Sequence, residues 1–272
     1  MRTSKIQAID VHGHFGKNYS PDIGQLLSAD AATVARRAKE ANIKITIVSP
    51  LAGLMPRGQA DVFQANEQAA QIVCQTEGLK QYVIVHPRQP RTYHQAAEML
   101  YQPQCVGIKI HPEEHVYPIV EFGDELFEFA AQHDATVLAH TGDVNSHPAH
   151  FVTLANEYPN VKLILAHLGN GGAAGGDPGL QVRAIQKSRQ NNVWVDTSSS
   201  RSIVPGLIEW AVSEIGSDKI LFGTDTPLYS TAMQRVRIDS AEISDEDKYS
   251  ILCDNAEQLF SNSLIESDTQ RC

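Results

Sequence analysis

Eight short, almost continuously apolar runs recur along the chain, each rich in Val and Ile and bounded by Gly, Pro, Asp or Asn. Such runs are typical of strands that are buried on both faces, as in parallel sheets. They span residues 6–12, 44–50, 81–87, 105–112, 135–142, 161–169, 192–198 and 219–227. The pattern therefore predicts eight strands of one parallel sheet.

Segments with apolar residues at helical spacing separate several of these strands, at 28–42, 61–78, 122–134, 149–159 and 244–260. Ser28 is a candidate N-cap for the first, Gly78 a candidate C-cap for the second, and Ser244 with Asp247 forms a capping-box pattern in the last. Eight strand–helix alternations favour an α/β fold, a single-domain (β/α)8 TIM barrel over residues 1–272.

A doubly wound open sheet is the competing fold, and it would be favoured by a glycine-rich turn directly after the first strand. That turn instead holds His12-Gly13-His14. The glycine-rich segment 169–179 follows the sixth strand and lacks a GxGxxG fingerprint. We therefore expect it to be an active-site loop rather than a phosphate-binding loop.

Composition excludes several classes of protein. The net charge is −10, with 22 basic and 32 acidic residues and no basic cluster, which argues against a nucleic-acid partner. The first ten residues lack the apolar stretch of a signal peptide, and no apolar run is long enough to span a membrane. The four cysteines are scattered, without a CxxC pair. We expect a cytoplasmic protein with a small-molecule substrate and no membrane partner. The sequence is compatible with a homodimer.

Polar side chains stand at the end of nearly every predicted strand, where a barrel of this type carries its catalytic groups. Burying such groups costs free energy unless they are paired or bound to an ion. In chain order they are Asp10, His12, His14, His86, Lys109, His111, His140, His167, Asp196 and Asp225.

His12 and His14 are two residues apart on the first strand, so their side chains point to the same face. Gly13 points the other way, where we expect it to let the helix layer approach. An isolated pair of this kind is commonly two hydrogen-bonded histidines. With His140 and Asp225 at later strand ends, however, the pattern favours a site for a metal ion, because zinc and similar ions prefer imidazole and carboxylate ligands.

The motifs on these strands resemble family 2 of the amidohydrolase superfamily, which includes the aminocarboxymuconate-semialdehyde decarboxylase-like enzymes and several lactone hydrolases. "IDVHGH" resembles the opening metal motif, "VGIKIHP" and "VLAHTG" the fourth and fifth strands, and "LILAHLG" and "VWVDTS" the sixth and seventh. "ILFGTDTPL" is similar to the eighth-strand aspartate motif, and "EISDEDKYSILCDNAEQLF" to the closing helix. The resemblance covers nearly the whole chain.

The resemblance implies that His12, His14, His140 and Asp225 hold one divalent ion, expected to be Zn²⁺, with a water in the open position. His167 would act beside it as an acid or base, and Asp225 would also accept the proton of the water. Each residue has another interpretation: His140 as a hydrogen-bonded core histidine, His167 as a structural residue or a ligand itself, and Asp225 as a turn cap before Pro227.

Four further residues are candidates for substrate binding: Lys109, His111, Arg57 and His86. Lys109 is expected to bind a substrate carboxylate or to pair with an acid. By resemblance to two-metal members of the superfamily, it could instead be carboxylated and bridge a second ion. Arg57 could clamp an anionic substrate or be a solvated loop residue, and His86 and His111 could line the pocket or only mark strand ends.

The resulting functional hypothesis is a metal-dependent hydrolase that acts on a small carboxylated or lactone-like compound through a metal-activated water. A non-oxidative decarboxylase (a carboxy-lyase) on the same metal site is the alternative, and a catalytically silent metal- or ligand-binding barrel is a third. Segments 51–66, 112–122, 143–150 and 169–180 are expected to form the mouth of the pocket.

Overall fold

The computed structural model describes residues 5–199 and 203–264. Eight strands pair in sequence order, and every neighbouring pair is parallel. They are β1 (Ala8–Phe15), β2 (Ile43–Pro50), β3 (Leu79–Ile84), β4 (Cys105–Ile110), β5 (Thr136–Ala139), β6 (Lys162–Leu165), β7 (Val193–Asp196) and β8 (Ile220–Leu221).

The sheet closes where β8 and the residues after it meet β1. The Val11 amide donates to the Phe222 carbonyl (2.9 Å), and the Asp225 amide donates to the His12 carbonyl (2.7 Å). Gly13 and Thr226 form a parallel bridge at the same seam. The predicted (β/α)8 TIM barrel is thus confirmed, whereas the domain limits 1–272 include terminal residues that lie outside the described ones.

Helices cover the outside of the barrel and follow each strand. They are α1 (Ala31–Glu40), α2 (Val62–Cys74), α3 (Arg91–Met99), α4 (Ile119–Gln132), α5 (Pro148–Glu157), α6 (Leu180–Ile185), α7 (Leu207–Ile215), α8 (Thr231–Asp239), α9 (Asp245–Tyr249), α10 (Asn255–Leu259) and α11 (Ser261–Leu264). Among the described residues, no helix is long and apolar enough to cross a membrane.

Two of the three predicted caps are wrong and one is confirmed. Asp30, not Ser28, caps α1, because its carboxylate accepts from the Thr33 amide while the Ser28 hydroxyl donates to Gly24. Helix α2 ends before Gly78, whose carbonyl instead accepts from the Thr46 amide of β2 (2.9 Å). Ser244 caps α9 as predicted.

The predicted helix 244–260 is interrupted by a π-helical turn at Ser250–Asp254. Within that turn the Ile251 carbonyl accepts from the Phe222 amide (3.0 Å), directly after β8. Below this contact, the barrel interior is filled by apolar side chains from the strands and closed by Leu259 and Phe260. The packed floor leaves the opposite end, where the strands terminate, as the place for polar side chains.

Candidate active site

A cavity of about 400 Å³ opens at the carboxyl ends of the strands. All but four of its described lining residues carry polar or charged side chains, and the exceptions are Leu51, Leu54, Met55 and Leu228. The four segments expected to form the mouth each contribute to the wall, which confirms that expectation. The loop after β8 contributes Leu228 and Tyr229 as well, and the sequence had not indicated it.

His14 and Asp225 line this cavity, His12 lies next to both of them, and all three residues are buried. Asp225 Oδ1 lies 3.1 Å from His14 Nε2 and 3.6 Å from His12 Nε2. The ligand atoms of the three residues all lie within 4.8 Å of one another, a geometry that could hold a metal ion. Asp225 Oδ1 is buried and accepts no hydrogen bond from the described residues, although a buried carboxylate oxygen normally has a partner.

His140 and His167 form the adjacent wall. His140 Nδ1 lies 3.0 Å from His167 Nε2, and His140 Nε2 lies 2.8 Å from Asp143 Oδ2. His167 in turn packs against His12, with ring centroids 4.9 Å apart. His140 is therefore next to these three residues through His167, but it is not a member of the three-residue group.

Asp196 and Ser198 contact these histidines. From the sequence, Asp196 was expected only to hold a neighbouring loop or hydroxyl, and Ser198 to be a loop residue. Asp196 Oδ2 lies 2.8 Å from His12 Nδ1, and Asp196 Oδ1 accepts from the His167 amide (3.0 Å). Ser198 Oγ lies 2.8 Å from His167 Nδ1. The available signal was the spacing: residues 196 and 198 repeat, at the end of β7, the one-residue gap that His12 and His14 show on β1.

Lys109 is fully buried, and its Nζ lies 3.0 Å from His12 Nε2. Burial lowers its pKa from 10.5 to about 8, although Asp225 and Asp196 act in the opposite direction. It contacts a candidate ligand from below and is not among the described residues that line the cavity.

The other three candidates for substrate binding differ in position. His111 lines the cavity and stacks on His140, with centroids 4.1 Å apart. Arg57 also lines it, is about half exposed, and donates to Glu113 (3.2 Å). His86 is not among the described lining residues; it is buried and stacks on His115, with centroids 4.3 Å apart.

Burial controls the protonation of these groups. It lowers the pKa of His12, His111 and His167 well below the usual value, and neighbouring cationic groups lower it further. These imidazoles are consequently neutral near pH 7, which is the form that ligates a metal or accepts a proton. Burial raises the pKa of Asp10 to about 7, against hydrogen bonds from Thr224 and the His12 amide.

Two of the site residues have backbones in the left-handed region, His167 with φ 75° and Asp225 with φ 55°. This conformation costs a non-glycine residue conformational free energy, and residues that adopt it are concentrated at functional sites. The Asp225 amide is held by the His12 carbonyl, so the conformation keeps the carboxylate over the two histidines of β1.

Solved structures of similar fold cover nearly the whole chain. A 2,6-dihydroxybenzoate decarboxylase from Rhizobium has a TM-score of 0.74 at 14% identity, over 94% of this chain and 99% of its own. A 5-carboxyvanillate decarboxylase from Novosphingobium aromaticivorans, with manganese and a nitrobenzoic acid bound, has a TM-score of 0.72 at 14% identity, over 94% and 96%. A protein described as a probable 2-pyrone-4,6-dicarboxylic acid hydrolase from Acinetobacter baumannii has a TM-score of 0.65 at 16% identity, over 94% of this chain and 100% of its own.

These identities are low, so the likeness concerns the fold alone. No curated protein matches the sequence significantly. The family model for amidohydrolases, in contrast, matches residues 9–261, which include every strand apart from the first residue of β1 and every candidate site residue. The chain therefore belongs to family 2 of the amidohydrolase superfamily.

Proposed function

We propose that the protein is a metal-dependent hydrolase that opens a small, carboxylated lactone or a related ester or amide. The observation that carries the proposal is the position of Asp225 Oδ1, which is buried between His12 and His14 in a polar cavity and accepts no hydrogen bond from the described residues. A carboxylate in that position is costly without a cation, because a buried charge needs a partner.

The donor atoms fit a divalent ion. His14 Nδ1 lies 3.1 Å from the Ser49 carbonyl and 3.0 Å from the Ser49 hydroxyl. A carbonyl can only accept, whereas a hydroxyl can also accept, so a proton on Nδ1 satisfies both contacts and leaves the Nε2 lone pair facing Asp225. His12 Nδ1 faces the Asp196 carboxylate in the same way. An imidazole whose outer nitrogen donates to a carbonyl or carboxylate is the usual arrangement of a metal ligand.

We assign His12, His14 and Asp225 as ligands, with His140 as the fourth ligand that the family resemblance implies. An ion held by them supplies Lewis-acid polarisation of a carbonyl and lowers the pKa of water toward 7. Both zinc and manganese suit such ligands.

The protein side chains then handle the protons and orient the substrate. His167 is neutral and lines the cavity, so it is placed to take a proton from the attacking water and return it to the leaving oxygen. Arg57 and His111, which also line the cavity, are the proposed contacts for a substrate carboxylate. His86 is omitted from this role because it lies behind His115.

A decarboxylase is the second candidate, because two of the similar structures are decarboxylases and one of these two has manganese bound. The substrates for which these two decarboxylases are named are aromatic acids. The predominantly polar wall of the present cavity favours a substrate with more hydrogen-bonding groups than a phenolic ring offers, and for that reason we place hydrolysis first.

The test combines elemental analysis of the purified protein with two assays. Hydrolysis is followed as acid release from 2-pyrone-4,6-dicarboxylate and a panel of carboxylated lactones, with zinc or manganese added. Decarboxylation is followed as carbon dioxide release from 2,6-dihydroxybenzoate and 5-carboxyvanillate. We expect one ion per chain and metal-dependent acid release.

Asp225→Asn should abolish both metal retention and turnover, whereas Asp218→Asn, at an exposed position, should change neither. Carbon dioxide release without any acid release would make the decarboxylase correct. A metal-loaded protein with two ions per chain would support the carboxylated form of Lys109 as a bridging ligand, since its Nζ already contacts His12 Nε2.

A further inference from the structure

Ser198 occupies a central position that neither the family assignment nor the proposed reaction explains. Its hydroxyl is buried and lies within hydrogen-bond distance of three groups: Asp196 Oδ1 (2.5 Å), His167 Nδ1 (2.8 Å) and His12 Nδ1 (3.0 Å). It therefore connects the carboxylate at the end of β7 to His12 of β1 and to His167, which follows β6.

The direction of these hydrogen bonds follows from a count of protons. A serine hydroxyl has one proton to donate and two lone pairs, whereas a carboxylate can only accept. The short contact with Asp196 Oδ1 takes the proton of the hydroxyl. Ser198 Oγ is then an acceptor toward His167, and the proton of that imidazole must lie on Nδ1.

We propose that Ser198 is a positioning residue that, together with Asp196, holds His167 in the Nδ1–H tautomer and keeps its Nε2 lone pair directed at His140. The same carboxylate holds the Nδ1–H tautomer of His12 through its other oxygen. A single Asp–Ser pair thereby orients two imidazoles from two different strands.

His140 is the group that faces His167 Nε2. Its Nε2 lies 2.8 Å from Asp143 Oδ2, which can only accept, so Nε2 carries a proton, and in the neutral imidazole the lone pair is then on Nδ1. The two free lone pairs, His140 Nδ1 and His167 Nε2, are 3.0 Å apart. Lone pairs at that distance repel unless a cation or a proton lies between them, so the pair forms an edge of the site that attracts a cation.

The experiment measures tautomers directly in full-length protein labelled with ¹⁵N-histidine and loaded with one equivalent of Zn²⁺. Long-range ¹H–¹⁵N correlation spectra distinguish Nδ1–H from Nε2–H imidazoles. The set of cross-peaks that disappears in His167→Asn is assigned to His167. In the wild-type protein we expect His167 as Nδ1–H. Ser198→Ala should lose that preference, and Ser198→Thr, which keeps the hydroxyl, should restore it.

A second measurement is zinc affinity by competition with a chromophoric chelator. Ser198→Ala should weaken binding about 10- to 100-fold, as loss of a group behind a metal ligand usually does. Ser146→Ala is the matched control, because Ser146 is also buried but its hydroxyl has no partner among the described residues. That variant should retain wild-type affinity.

An Nε2–H pattern for His167 in the wild type would overturn the proposal, even if Ser198→Ala failed to fold. An unchanged tautomer in Ser198→Ala would overturn it too, whatever the zinc affinity. Neither readout involves turnover, so the absence of hydrolase activity would leave the tautomer assignment standing and would contradict only the proposed function.

Discussion

Gly13 lies between two proposed ligands, and its lack of a side chain has a specific cause. A Cβ at this position would lie 2.6 Å from Thr46 Cγ2, 3.1 Å from Thr226 Cγ2 and 3.3 Å from Val48 Cγ1. These neighbours belong to β2 and to the segment after β8. The expectation that Gly13 makes room for the helix layer is therefore wrong, because adjacent strands take that space.

Gly13→Ala should lower the free energy of unfolding by about 1–3 kcal/mol, because an extra methyl in a packed interior forces its neighbours apart. Urea unfolding monitored by circular dichroism measures the loss. The double variant Gly13→Ala/Thr46→Ser removes the nearest clashing methyl and should recover part of it. Equal stabilities of the single and double variants would show that Thr46 is not the obstacle.

The sequence identified the polar site residues at the ends of strands. It did not identify Ser198, which hydrogen-bonds to two of them. His12, His14 and Asp225 stood out because polar residues interrupt apolar runs. Ser198 did not, because its role depends on the contact of its hydroxyl with His167, 31 residues away in the chain. A serine in a loop gives no local signal of such a partner.

Among elements, the ends of β3 and β4 are joined by the stacked pair His86 and His115. Burial lowers the pKa of His86 to about 4 and that of His115 to about 3. Both are neutral in the folded protein at pH 6, whereas in the unfolded chain they take up protons below about pH 6.5. The stabilisation they provide is thus complete above pH 6.5 and is lost as the pH falls toward 4.

The free energy of unfolding should accordingly fall by about 1.4 kcal/mol per pH unit for each proton taken up on unfolding. Urea titrations between pH 7 and pH 4.5 measure the slope. His86→Phe keeps an aromatic ring in the stack but removes one titrating group. It should reduce the slope by about 1.4 kcal/mol per pH unit, which is the contribution of one proton. His94→Gln, at an exposed position, should leave it unchanged, and an equal reduction in both variants would contradict this account.

The strands were predicted more accurately than the helices for a physical reason. A strand buried on both faces leaves a continuous apolar run, and all eight runs overlap observed strands. Helix ends depend on contacts with other elements. The π turn at Ser250–Asp254 faces Phe222, and the Gly78 carbonyl bonds to β2, so neither feature has a local sequence pattern.

For the whole molecule, the seam between β1 and β8 is where the proposed ion would act on stability. Strand β8 has only two residues, and the proposed ligands come from both sides of the seam. A ligand that binds only the folded state adds about 2.7 kcal/mol at a concentration 100-fold above its dissociation constant.

Zinc or manganese should therefore raise the melting temperature, and EDTA should lower it. Differential scanning calorimetry measures the shift, and Asp225→Asn should eliminate it while Asp218→Asn retains it. A metal-induced shift that persists in Asp225→Asn would mean that the ion binds elsewhere.

The seam also has a consequence for the order of events during synthesis. Asp10 and Thr224, which are 214 residues apart in the chain, are hydrogen-bonded to each other beside the proposed ligands. A nascent chain that has exposed β1 but not β8 carries the two histidines without their carboxylate. Tight metal capture would then mark the moment at which the ribosome has delivered nearly the entire barrel, so a truncated product would remain both inactive and free of metal.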